Sequence, residues 1–279
     1  MTRTSVPRLD RDLFGIGHYI CPAKVSLVEF LDAAAARGFS GVGLTERALE
    51  EMPAASIRNE LKARGLRVTS VNSAGYFLKA GSDAERQNAR NQWILECAAE
   101  LGDAPVNVIV GGVGQGLGLN LDAARVRATE SLHALHAKAA PLGLHMIVEP
   151  VHPNGIWQKG CLNSLRQVEQ AIAGLSNTTI NLDIFHSWWD ADIGSVIADD
   201  NRPLGMFQMS DAGTFAQDGV GERLPLGEGI VDVPVLLDMC LRRKARPLFE
   251  VELFAIQLPD RALTDLLDQS VQYLNALNR

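Results

Sequence analysis

Leu144-His145-Met146-Ile147-Val148-Glu149-Pro150-Val151-His152 is a short apolar run that ends in a carboxylate and then a proline. It reads as a buried strand that delivers one glutamate at its C-terminal end. Such a residue is suited to hold a metal or to move a proton. Glu149 carries weight because three later strands end in the same way. The run over 178–184 delivers Asp183, that over 205–210 delivers Gln208, and that over 247–254 delivers Glu250 and Glu252.

Working outward, the same pattern repeats along the chain. Strands are expected over 13–19, 41–45, 66–71 and 106–110, before the four already named. Helices are expected after the cap Ser26, and over about 54–64, 83–101, 121–140, 163–173, 191–200, 233–241 and 260–277. Arg37-Gly38 and Arg64-Gly65 read as helix stops. The strands are apolar on both parities, as when both faces are buried. Alternating strands and helices give a parallel sheet, and eight units point to closure. The expected fold class is therefore α/β, a single (β/α)8 TIM barrel over 1–279, with 1–11 as a polar N-terminal lead-in. An open doubly-wound sheet is the rival. No Gly-x-Gly-x-x-Gly follows a strand, and the glycines at 112, 114, 116 and 118 have the wrong spacing for a dinucleotide fingerprint. The absence of a Gly-Lys pair removes the phosphate-binding P-loop.

Bulk composition narrows the function. A formal charge of −7 argues against a broad nucleic-acid or anionic-membrane surface. Four cysteines, none in a Cys-x-x-Cys pair, argue against a disulfide framework and against structural zinc, and fit a reducing cytoplasm. No stretch approaches the roughly 20 apolar residues of a membrane span. The expected partner is a small molecule, with no nucleic acid and no membrane; a homo-oligomer is compatible with this reading.

In a barrel, residues at the C-terminal strand ends share one mouth. Two or three carboxylates converging there repel one another and need a cation, and an oxygen-rich set favours Mg²⁺ or Mn²⁺. Parity puts His145 and Glu149 on one face of their strand, Gln208 and Ser210 on one face of theirs, and Glu250 and Glu252 on one face a layer apart. Glu252 lies nearer the mouth and is preferred as the ligand. Glu250 would sit deeper and need a partner. His18 ends the first strand and faces the mouth, as a substrate contact or a structural hydrogen bond. His152 lines the mouth or packs beside Pro153, Asn72 is a candidate substrate contact, and Glu222 and Asp211 are candidates to orient Arg223. His145 reads as an interior hydrogen-bonded residue, and His133 and His136 as solvated.

Val148-Glu149-Pro150, Leu182-Asp183-Ile184-Phe185-His186, Phe207-Gln208-Met209-Ser210-Asp211, Leu226-Gly227-Glu228-Gly229 and Glu250-Val251-Glu252-Leu253-Phe254 resemble, in order and spacing, the sugar isomerase/epimerase group of xylose isomerase-like barrels. That group includes tagatose and psicose 3-epimerases, hydroxypyruvate isomerase and inosose dehydratase. The resemblance implies one divalent metal ion, Mn²⁺ or Mg²⁺ first and Co²⁺ or Zn²⁺ next, held by Glu149, Asp183, Gln208 and Glu252. Gln208 stands where the group usually has histidine, as in the hydroxypyruvate isomerase pattern. The resemblance further implies substrate binding by His186 and Arg223, with Glu149 and Glu252 as paired acid/bases. A metal-polarised hydroxy-ketone loses a proton to one glutamate, and the enediolate takes one back at another position. Epimerisation, isomerisation and loss of a β-hydroxyl use the same residues, so a dehydratase or lyase of the inosose or dehydroshikimate type is the alternative. Further rivals are an endonuclease IV-like DNA-repair enzyme, which needs more histidines and a basic face, and a metal-free binding barrel.

Overall fold

The computed structural model describes residues 13–102, 104–114, 116–213 and 221–277. Eight parallel strands close into a barrel: β1 (Phe14–Gly17), β2 (Gly41–Thr45), β3 (Arg67–Gly75), β4 (Val106–Ile109), β5 (Met146–Val148), β6 (Thr178–Asp183), β7 (Leu204–Met209) and β10 (Leu248–Val251), with β10 pairing β1 to complete the ring. The expected lead-in over 1–11 lies outside the described residues. All eight expected strands are present, and β2 has the expected bounds. β3 runs on to Gly75, past the expected end at Val71, because Val106, Val108 and Ile109 of β4 pair along its second half.

The helices form where caps and periodicity placed them. α1 (Leu27–Ala36) opens with a capping box in which Ser26 accepts from the Glu29 amide and Glu29 accepts from the Ser26 amide. α3 (Ala54–Ala63) ends before Gly65, whose φ of 67° supplies the left-handed turn. α5 (Leu121–Ala139), α6 (Leu165–Ala171) and α9 (Val233–Leu241) start at the side-chain caps Asn120, Ser164 and Asp232, and α4 (Gly81–Leu101), α8 (Ile193–Ala198) and α10 (Leu263–Ala276) start without one. Two short helices were not expected, α2 (Glu46–Glu51) and α7 (Ile184–Ser187). Each begins directly at a strand end, where a run of four to six residues is too short to show helical periodicity. A two-stranded ribbon, β8 (Asp211–Ala212) against β9 (Arg223–Leu224), was also missed. His133 and His136 are not simply solvated. Their Nε2 atoms reach the carbonyls of Ala171 (2.9 Å) and Ser176 (2.8 Å), tying α5 to α6 and to the turn after it. Among the described residues no helix is long and apolar enough to cross a membrane.

Parity divides the side chains. Phe14, Phe207 and Phe249 alternate with the site residues and join the buried core, with ring centroids 5.6 and 6.1 Å apart. Each buried ring contributes roughly 1.5–3 kcal/mol. The other parity points into the barrel. His145 bonds Thr179 there (2.7 Å), the interior hydrogen bond expected of it. Above it lie the polar residues of the site.

Candidate active site

Four carboxylates and one guanidinium share the upper barrel. Glu149, Asp183, Glu250 and Glu252 are all buried, as is Arg223. β5 ends just before Glu149, Asp183 is the last residue of β6 and β10 ends one residue before Glu252. Asp183 also caps α7 by accepting from the Phe185 amide (2.9 Å), so it closes a turn and faces the site together.

Arg223 is carried into this cluster by β9. Its guanidinium forks onto Asp183, with one arm 3.2 Å from Oδ1 and the other on Oδ2. It also pairs with Glu252 Oε2 (3.1 Å) and donates to Ser210 Oγ (3.1 Å) and the Glu252 carbonyl (3.3 Å). The rings of Phe185 and Phe254 lie 4.7 and 4.9 Å from the guanidinium carbon. Arg223 thus spends its donors on protein carboxylates and is built into the site. Asp211 and Glu222 do not orient it. Asp211 instead accepts from the amides of Ala212, Gly227 and Val231 and shapes the loop after β9.

Glu250 is the deeper of the two β10 glutamates, and its partners are now identified. It accepts from Thr69, from Ser70 Oγ (2.9 Å) and from Gln208 Nε2 (2.9 Å). Room for it comes from β2, because a Cβ on Gly43 would stand 2.4 Å from Glu250 Oε2. Glu149 accepts from Asn107 Nδ2 (2.6 Å) and Asn181 Nδ2 (3.3 Å). Neither asparagine was singled out from the sequence. The signal was there: Asn107 is a polar residue inside an apolar strand, and Asn181 shares parity with Asp183.

Electrostatics differ from residue to residue. Burial and the nearby Asp183 charge push Glu149 up to about 7. Burial raises Glu252 well above the ordinary range, more than Arg223 lowers it. Burial would also raise Asp183, but the Arg223 guanidinium outweighs it and holds that carboxyl below its usual range. Burial lowers His186 to about 3, so its ring is neutral at pH 7. Its Nδ1 accepts from the His152 amide (3.3 Å), which leaves the proton on Nε2, 3.5 Å from Glu149 Oε1.

The remaining expected contacts are placed as follows. His152 sits at the rim, its ring edge-on to Trp189 at 5.7 Å. His18 is fully buried and uses both ring nitrogens, on Thr45 Oγ1 (2.7 Å) and Arg47 (3.1 Å). Asn72 donates to Ser70 and accepts from Asn107. A cavity of about 780 Å³ opens beside the cluster, lined by Tyr19, Asn72, Tyr76 and Phe254 among others. Tyr19 and Phe254 stack there at 4.6 Å.

The donor set fits a divalent cation. The four carboxylates exceed the one guanidinium, and Asn181 Oδ1 is a buried oxygen without a hydrogen-bond partner among the described residues. Glu149, Asp183 and His186 each offer a ligand atom, all within 4.8 Å of one another. His186 offers a lone pair on Nε2 only in the opposite tautomer.

Residues 31–277 match a family described as the xylose isomerase-like TIM barrel. The chain belongs to that family. Its structure is similar to that of a Sinorhizobium meliloti protein (TM-score 0.85, 22% identity, covering 96% of this chain and 98% of the other). It is similar also to the IolI protein with a bound zinc atom (0.78, 14%, 95% and 97%) and to the E. coli 3-keto-D-glucoside 4-epimerase YcjR in its apo form (0.72, 19%, 95% and 98%). At these identities the likeness shows the fold. No curated protein matches the sequence.

Proposed function

We propose that this xylose isomerase-like barrel is a divalent-metal-dependent isomerase or epimerase of a small sugar or keto-polyol. The observation that carries the reading is the pair Glu149 and Glu252, two buried carboxyls around one Asp183–Arg223 pair, Glu149 raised to about 7 and Glu252 raised well above the ordinary carboxylate range. A carboxyl near 7 exchanges a proton readily at neutral pH, which suits abstraction next to a carbonyl. Glu149, Asp183 and Glu252 would hold the metal, with Mn²⁺ or Mg²⁺ suited to oxygen donors. When bound, it polarises the substrate carbonyl and acidifies the neighbouring C–H. Glu149 then takes a proton from one carbon and Glu252 returns one. His186 presents its Nε2–H to a substrate oxygen, and Phe185 and Phe254 flank Arg223 as an apolar wall. Relatives of this fold described as an epimerase and as a zinc-bound protein support the class.

The test is a screen in D₂O with Mn²⁺ or Mg²⁺, against ketoses, hydroxypyruvate and inososes. Solvent deuterium in recovered substrate or product is the expected result. An absorbing enone product instead assigns the dehydratase variant. Absence of exchange across the panel, with metal bound, refutes proton abstraction by this site.

A further inference from the structure

Gln208 lies on β7 within the buried site, and its surroundings define its role. Its Oε1 accepts from Asn181 Nδ2 (2.7 Å). Its Nε2 donates to Glu250 Oε1 (2.9 Å) and Glu252 Oε1 (3.2 Å). All four side chains are buried. Turning the amide over would set its nitrogen against the Asn181 nitrogen and withdraw its N–H groups from Glu250 Oε1 and Glu252 Oε1.

This orientation is held from a distance as well. Gln208 donates to Glu250, which also accepts from Ser70; Ser70 accepts from Asn72, Asn72 accepts from Asn107, Asn107 donates to Glu149, and Asn181 donates both to Glu149 and to Gln208, which closes the circuit. The circuit closes around the barrel through β3, β4, β6, β7 and β10 and the residue after β5. Gly43 of β2 leaves the space that its Glu250 corner fills. Gln208, Asn107 and Asn181 each aim N–H groups at a carboxylate, and Asn107 and Asn181 also aim one at a neighbouring amide oxygen, so reversing one of them costs its neighbours their bonds.

We infer that Gln208 is a neutral clamp that fixes Glu252 against Glu250 through its NH₂ group, and that it is not a metal ligand. A cation in this site is then held by the carboxylates alone, with Gln208 as a positioning residue that aims Glu252. The inference rests on the reading that a divalent cation enters the site. It revises the ligand set read from the sequence, where Gln208 was the fourth member.

Two measurements test it. The first is Mn²⁺ binding by calorimetry between about pH 5 and pH 8, for the wild type and Gln208→Met, which keeps the chain length and removes both donors. Loss of the clamp takes stabilising N–H groups from Glu250 and Glu252, so protons compete better, and the pH of half-maximal affinity moves up by about one unit. An unmoved midpoint overturns the inference, since loss of a neutral ligand weakens binding equally at every pH. The second needs no variant: a crystal structure of the wild type with Mn²⁺. Asn181 Nδ2 still bonded to Gln208 Oε1 is expected, and Oε1 within about 2.3 Å of the ion overturns the clamp. If the wild type binds no divalent ion, the proposed function fails separately. The clamp is then judged by melting in chelator, where Gln208→Met must lower Tm by about 4 °C or more, and an unchanged Tm refutes it.

Discussion

Replacing Arg223 with methionine removes the one guanidinium among the four buried carboxylates while keeping most of its apolar stem. Asp183 loses both arms of its fork and Glu252 loses an ion pair, and neither carboxylate is exposed enough for water to compensate. Breaking one side of such a buried pair costs about 3–5 kcal/mol. For a chain of 279 residues that is a fall in melting temperature of roughly 5–9 °C. The sign with pH follows from Asp183. Its carboxyl is held below its ordinary range in the folded protein, so its pairing stabilises above the unfolded value of about 3.9 and is lost as pH falls through the folded one. The gap between wild type and variant is therefore widest near neutral pH and closes in acid. A divalent cation supplies the missing charge, so Mn²⁺ should raise the melting temperature of the variant more than that of the wild type. Differential scanning fluorimetry in chelator and in Mn²⁺, at several pH values, reads all of this. If the variant melts within about 1 °C of wild type in chelator at neutral pH, Arg223 is not the internal counter-charge of this site.

Two further outcomes follow from the same geometry. Glu149→Gln should abolish deuterium exchange while leaving the metal-free protein at least as stable, because a carboxyl raised from 4.5 to about 7 destabilises the fold by about 3 kcal/mol once ionised; the stability that Glu149 gives as a protonated group is lost as pH rises from 4.5 to 7, so the urea midpoint of the wild type should fall over that range and that of the variant should fall less. Gly43→Ala should cost about 1–3 kcal/mol, because its Cβ would meet Glu250 Oε2 at 2.4 Å and Ser70 Oγ at 2.6 Å; an unchanged urea midpoint would show that Glu250 has room to move.

Fold class was legible in the residues because both of its signals are local. Short apolar runs bounded by turns mark strands buried on two faces, and caps such as Ser26 mark helix starts within four residues. The same logic reached Glu149, Asp183, Glu250 and Glu252, since a strand end is a position along the chain. The layering of Glu250 beneath Glu252 came from the two-residue period of a strand. Four features depended on tertiary structure. Arg223 faces Asp183 across forty positions of chain, and the pairing of β7 with β6 and of β9 with β8 brings the two together. His18 follows directly on β1, one residue past the strand it was expected to end, and Thr45 and Arg47 of the next unit claim its ring. Asn107 and Asn181 have a role only as links between neighbouring strands. The direction of the Gln208 amide is not written in its own residue type at all. Glutamine offers an oxygen and a nitrogen with equal readiness, and which one faces Glu252 is decided by Asn181 on one neighbouring strand and Glu250 on the other.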